Sequence, residues 1–91
     1  MMKQIWKYQI KTNKLIHEIP KGAKILYVNN QFDQICVWIE VDPEAPKEQR
    51  HFEVYGTGHP IMGDPKDRKY LGSVKLSGGA LIFHLYEYFG N

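Results

Sequence analysis

Cysteine and long apolar runs are both scarce in this chain of 91 residues. Cys36 is the single cysteine, so no intramolecular disulfide can form, and a zinc site with two or more thiolates is excluded. An unpaired cysteine is typical of a reducing cytosol. No stretch reaches the ~20 apolar residues that span a bilayer, and the start of the chain lacks the apolar core of a signal peptide. We therefore expect a cytoplasmic protein with no membrane partner.

The chain also lacks a marked charge excess and a helical repeat. Its 12 basic and 10 acidic side chains give a net charge of +2, whereas nucleic-acid binders usually carry a basic excess or stripe. A positive bias in the first 14 residues is explained by the solvated face of a strand, with a polyanion-binding patch as the alternative. Apolar residues at spacings of three and four do not persist over ~11 positions, so no long helix is expected.

Alternation of side chains with a period of two is the main signal that is present. It predicts strands over residues 3–11, 15–19, 23–29, 34–41, 50–55, 70–76 and 80–89. The chain is thus predicted to form one all-β domain over residues 1–91, an antiparallel β-sandwich or partly open β-barrel of about six to seven strands. The predicted core comprises Trp6, Ile25, Ile35, Val37, Ile39, Phe52, Leu81, Phe83 and Leu85.

Two loops interrupt this pattern. Residues 42–49 hold two prolines and four charged residues, and residues 56–69 hold three glycines and two prolines with little periodicity. A loop as long as the second is usually functional or mobile in so small a domain.

The most distinctive segment is Gly56-Thr57-Gly58-His59, which follows Tyr55 at the exit of a predicted strand. Two glycines allow a sharp turn that exposes backbone N–H groups, as in an anion-binding nest, and the hydroxyl and imidazole add polar groups. The spacing and the missing lysine exclude a P-loop. A plain glycine turn explains the same residues, so both interpretations stay open.

No catalytic or metal-binding pattern emerges. Cys36 lies in the middle of a strand, where a thiol is usually an inert small hydrophobe, and no serine stands in a G-x-S-x-G elbow. The four histidines show no HxH or HExxH spacing, although distant residues of a β-fold can still converge: His17, His51, His59 and His84. We expect no enzymatic activity, no metal and no cofactor.

Five segments, taken in order, resemble a family of small proteins of tailed bacteriophages and prophages. They are PKGAKIL at 20–26, CVWIEVDP at 36–43, YGTGHP at 55–60, YLGSV at 70–74 and FHLYE at 83–87. The family has no assigned activity, so the resemblance transfers no site residue. It implies an accessory protein that is made during infection and binds a host component.

Three functional hypotheses arise from these observations. The first is a non-enzymatic protein that binds a host protein, for example to inhibit a defence system, since tyrosine and arginine are favoured at interfaces. The second is a binder of a nucleotide or another phosphorylated compound at residues 56–60, and the third is a single-stranded nucleic-acid binder, against which the near-neutral charge argues. A homodimer is left open. The predicted binding residues are Tyr55, Gly56, Thr57, Gly58, His59 and Arg68.

Overall fold

The computed structural model describes residues 2–90, which fold into seven strands and two short 3₁₀ turns. The strands are β1 (Gln4–Gln9), β2 (Ile16–Pro20), β3 (Lys24–Asn30), β4 (Ile35–Val41), β5 (Lys47–Gly56), β6 (Arg68–Leu76) and β7 (Leu81–Tyr88). They form two antiparallel sheets, one in the order β1-β4-β3 and one in the order β2-β5-β7-β6. The all-β prediction is confirmed, and the arrangement is sandwich-like. Within residues 2–90, no helix is long and apolar enough to cross a membrane.

The core lies between the inner faces of the two sheets. Strand β4 shows why the sequence folds this way, because Ile35, Val37, Ile39 and Val41 alternate along one face and all four are buried. The second sheet contributes fully buried side chains from each of its four strands, Ile19, Phe52, Val74 and Leu85.

Of the nine predicted core residues, five are buried, three are half-buried and one is exposed. Trp6, Ile25 and Phe83 pack against the core but are only half-buried. The prediction for Leu81 is wrong, because its side chain stands at the tip of the β6–β7 hairpin and is 48% exposed.

A β-bulge in β3 changes which of its residues face the core, compared with the prediction from strict alternation. Strict alternation places Ile25 and Tyr27 on one face, but the register against β4 shifts between these two residues. The extra residue turns Ile25 and Val28 toward the core, while Tyr27 points outward and is 55% exposed.

The boundaries of β5 and β6 shorten both predicted loops. Strand β5 begins at Lys47, three residues earlier than expected, because Pro20 and Lys47 continue the ladder between β2 and β5. Strand β6 begins at Arg68, which pairs with Tyr88. The loops therefore span residues 42–46 and 57–67.

His17 is a buried histidine on the inner side of β2. Its ring packs edge-on against Tyr8 and Phe52, with centroid distances of 5.8 and 6.0 Å, and its Nε2–H donates to the Lys14 carbonyl at 3.2 Å. Burial disfavours the charged ring and lowers the pKa of His17 below its ordinary value of 6.5. The hydrogen bond to the Lys14 carbonyl raises this pKa and the nearby Lys14 ammonium lowers it, but burial is the largest of the three effects.

This lowered pKa predicts a stability loss on mild acidification. As the pH falls, His17 is protonated in the unfolded chain before it is protonated in the folded protein. The contribution of the neutral His17 to folding stability is therefore complete above pH 6.5 and is lost as the pH falls through the folded-state pKa. Urea unfolding at pH 7.5 and 5.5 should show a smaller pH effect for His17→Gln than for the wild type. Equal pH effects in the two proteins would contradict the assignment.

Candidate functional site

The outer face of the β5, β7 and β6 strands carries a dense group of aromatic and polar side chains. Cross-strand pairing determines which side chains belong to this group, since residues that oppose each other in the ladder share one face. Tyr55 pairs with His84, and Tyr86 lies between Glu53 and Tyr70. The outward-facing residues of these strands are His51, Glu53, Tyr55, Arg68, Tyr70, Ser73, His84, Tyr86 and Tyr88.

Tyr86 is the centre of this face. Its ring lies 5.7 Å from the ring of Tyr55 and 5.4 Å from that of Tyr70, in both cases edge to face. Such T-shaped contacts are favourable and hold the rings in fixed orientations. Tyr70 is 53% exposed, whereas Tyr55 and Tyr86 are half-buried. The face is therefore rigid yet open to solvent. We call Tyr55, Tyr70, Tyr86, Tyr88 and Arg68 the tyrosine face.

Arg68 is fixed in this face by three elements. Its Nε and one Nη donate to the Glu53 carboxylate at 2.8 and 3.4 Å, and its other Nη donates to the Asp64 carbonyl at 3.1 Å. The guanidinium carbon lies 5.4 Å from the centre of the Tyr88 ring, a cation–π distance.

Electrostatics keep both members of this pair charged. The hydrogen bond to Glu53 raises the pKa of Arg68. Partial burial works against ionisation of Glu53, but the hydrogen bonds from Arg68 and Tyr55 outweigh it and lower the pKa of Glu53. The cation on this face is thus oriented and locally neutralised, which explains why the face has no strong net charge.

The Gly-Thr-Gly-His segment forms a tight turn at the end of β5. The His59 N–H donates to the Gly56 carbonyl at 3.0 Å, and Gly58 has a φ of +87°, the pattern of a type II turn. The His59 ring covers Gly56 so closely that a Cβ there would lie 2.9 Å from His59 Cε1. Backbone geometry therefore requires glycine at 58, and side-chain packing favours it at 56.

A chain of side-chain hydrogen bonds joins this turn to the sheet. Thr57 Oγ1 lies 2.8 Å from His84 Nε2, and Ser73 Oγ lies 2.7 Å from His84 Nδ1. The Ser73 hydroxyl also bonds the Tyr70 hydroxyl. Both imidazole nitrogens thus bond hydroxyl groups, so no carboxylate orients the ring as in a Ser-His-Asp triad. These hydrogen bonds hold the Gly-Thr-Gly-His turn at the edge of the tyrosine face.

Sequence reasoning missed Ser73 and Tyr70 as partners for a definite reason. Residues three apart in a regular strand point to opposite faces, but the register of β6 shifts between Tyr70 and Gly72. This bulge places both hydroxyls on the outer face. His84 lies on the same face, since it alternates with Phe83 and Leu85 along β7.

The loop of residues 57–67 borders a cavity beside the tyrosine face. The cavity has a volume of about 430 Å³, within the ~300–1,000 Å³ of small-molecule sites. Its lining comes from the loop and from two strands: Ile61, Gly63, Pro65, Arg68, Tyr70 and Tyr86.

The structure brings the predicted site residues into one region but gives them different roles. Tyr55 and Arg68 lie on the tyrosine face, with Arg68 in β6 rather than in the loop. Thr57 lies at its edge, and Gly56, Gly58 and His59 build the turn. Across the part of the chain that the structure describes, no three His, Cys, Asp or Glu side chains cluster as a metal ion would need.

Comparison with known proteins gives one family match. The model of the family described as Domain of unknown function (DUF7352) matches residues 1–90. Neither the curated proteins nor the solved structures contain a match to the chain. Since the match covers residues 1–90 of 91, the chain belongs to the DUF7352 family.

Proposed function

We propose that this protein is a non-enzymatic binding protein that engages a partner protein through the tyrosine face. The observation that carries the proposal is the set of tyrosine rings on adjacent strands, packed against one another and joined by an oriented arginine. Tyrosine and arginine are enriched among the residues that dominate binding energy at protein interfaces.

Rigidity of the face supports the same function. Side chains that are already ordered lose little conformational entropy on binding, so more of the contact energy appears as affinity. Tyr86 is held between two rings, and Arg68 is held by Glu53 and Asp64. The hydroxyl of each tyrosine supplies a hydrogen bond at the edge of an apolar ring.

The resemblance to phage and prophage proteins suggests the kind of partner. It favours a host protein met in the cytoplasm, including a component of a defence system. The near balance of charge on the tyrosine face fits a protein better than a polyanion, because nucleic-acid sites present an excess of unpaired Lys and Arg.

A second candidate, small-ligand binding, is favoured by the 430 Å³ cavity. A nucleotide base would stack on Tyr70 or Tyr86, and its phosphate would lie toward Arg68 or the Gly-Thr-Gly-His turn. The alanine double variant of Thr57 and His59 separates the two candidates, since it alters the turn and leaves the rings of the tyrosine face in place.

Tyr70→Ala is expected to weaken partner binding about 30-fold, the loss typical of an interface hot spot. Tyr27→Ala is the matched control: Tyr27 is 55% exposed, packs its ring 5.4 Å from Trp38, and lies on the outer face of the other sheet. A partner is first captured from host lysate with the tagged wild type, and its affinity for each variant is then measured by calorimetry.

Comparing the two variants shows which of the two sheets binds the partner. Loss of binding with Tyr70→Ala but not with Tyr27→Ala supports the proposed surface, and the reverse result places the interface on the β1-β4-β3 sheet. Nucleotides extracted from the captured protein, and lost with the Thr57 and His59 double variant, would favour the second candidate.

A further inference from the structure

A larger cavity lies at the seam where the two sheets meet, and Tyr70 is the one member of the tyrosine face that lines it. It has a volume of about 620 Å³ and runs between residues 23–28 on one side and Lys69, Tyr70 and Leu71 on the other. Arg50 and Glu87 line it from the second sheet, and Phe89 lies at its end. We call this cavity the seam groove.

The groove exists because the seam is closed at one end only. At the closed end, a Cβ on Gly72 would lie 3.3 Å from Val28 Cβ, so the strands are in contact there. Asn30 Nδ2 donates to the Lys75 carbonyl at 2.8 Å. Directly before these contacts along each strand, β3 and β6 each carry a bulge, between Ile25 and Tyr27 and between Tyr70 and Gly72. Bulges bend strands, and two of them line the groove.

Arg50 gives the groove a built polar group. Its Nε and one Nη donate to the Glu87 carboxylate, and its other Nη donates to the Ala23 carbonyl at 3.0 Å. A guanidinium has five N–H groups. Within residues 2–90, two of them have no acceptor, although the side chain is only 16% exposed. These two N–H groups belong to a side chain that lines the groove, so a ligand there can accept hydrogen bonds from them.

The remaining lining is basic and apolar. Lys24 and Lys69 are exposed lining residues, so the groove has three cationic side chains against the single carboxylate of Glu87. Ile25, Val28, Leu71 and Phe89 supply apolar walls. Charge complementarity and this apolar surface together define the class of ligand.

We propose that the seam groove binds a small amphipathic anion, a carboxylate carried on an apolar body. The carboxylate oxygens accept hydrogen bonds from the free N–H groups of Arg50, and the ammonium groups of Lys24 and Lys69 add attraction from the rim. The apolar body packs against Leu71 and Phe89. This site shares only Tyr70 with the tyrosine face, and it differs from the Gly-Thr-Gly-His turn that the sequence suggested for anions.

Titration of the ¹⁵N-labelled protein with decanoate tests the proposal. Saturable amide shifts are expected at residues 23–28 and 69–71, with decanol, the neutral molecule of equal chain length, binding more weakly. The Lys24→Gln, Lys69→Gln double variant should bind decanoate about fivefold more weakly, as expected for two exposed charges.

Lys11→Gln with Lys66→Gln is the matched control, because it removes the same charge from exposed positions outside the groove. It should leave the decanoate affinity within about twofold. The proposal is overturned if decanoate gives no saturable shifts, if the shifts lie elsewhere, if decanol binds equally well, or if both double variants lose the same affinity.

Discussion

Glu87→Gln is expected to lower the free energy of unfolding by about 3 kcal/mol, a large share of the roughly 5–14 kcal/mol available to a domain of this length. Glu87 is 4% exposed and holds the Arg50 side chain through two hydrogen bonds. Glutamine keeps the size of the side chain but removes the charge, which leaves a nearly buried guanidinium without its counter-ion. The residual 16% exposure of Arg50 places the loss at the lower end of the range for buried pairs.

A double variant separates the stranded charge from lost packing. Arg50→Met combined with Glu87→Leu replaces the pair with apolar side chains of similar size, and such replacements are often close to neutral. Urea unfolding should therefore show the double variant to be more stable than Glu87→Gln alone. If it is equally unstable, the loss comes from the hydrogen bonds and packing around Ala23 and not from an unpaired charge.

Regular strands were the part of the fold that the sequence could predict. Apolar residues alternate throughout β4, and in β7 they do so as far as Leu85, so the direction of Val37 and Leu85 follows from the pleat alone. The two bulges could not be predicted, because an inserted residue has no composition signal in Leu26 or Leu71, and each bulge reverses the phase of the residues after it.

The Arg50–Glu87 pair was missed although one signal was present. Glu87 shares its phase with Phe83 and Leu85, and a charged residue in an apolar phase indicates a buried partner. The partner itself lies 37 residues away, and only the ladder between β5 and β7 brings the two strands together. Cross-strand neighbours depend on strand order, which local patterns do not encode.

The candidate site also has one part that could be located from the sequence and one part that could not. The Gly-Thr-Gly-His turn could be located because its residues are consecutive, and glycine at 58 has a backbone requirement. The tyrosine face joins residues from three strands, so its members were visible only as separate tyrosines until the register was known. Whether a surface or a turn carries the function was therefore open from the sequence.

Phe52→Ala is expected to cost about 3–5 kcal/mol, which approaches the low end of the stability expected for a domain of this length. Phe52 is fully buried on the inner face of β5, its ring packs against His17, and its backbone N–H donates to the Leu15 carbonyl at 2.8 Å. Phe83→Ala should cost about half as much, because the half-buried ring removes less apolar area from water. Leu81→Ala should stay within about 0.5 kcal/mol, as for other exposed sites.

Urea unfolding of the three variants, followed by tryptophan fluorescence and circular dichroism, measures this gradient. The order Phe52, Phe83, Leu81 distinguishes a core centred between the sheets from one that extends along the β6–β7 hairpin, as strict alternation in β7 suggested. If Phe83→Ala or Leu81→Ala were more damaging than Phe52→Ala, the hairpin would carry the core. Phe83 lies opposite Gly56, the last residue of β5, and this glycine has no side chain to pack beside the ring.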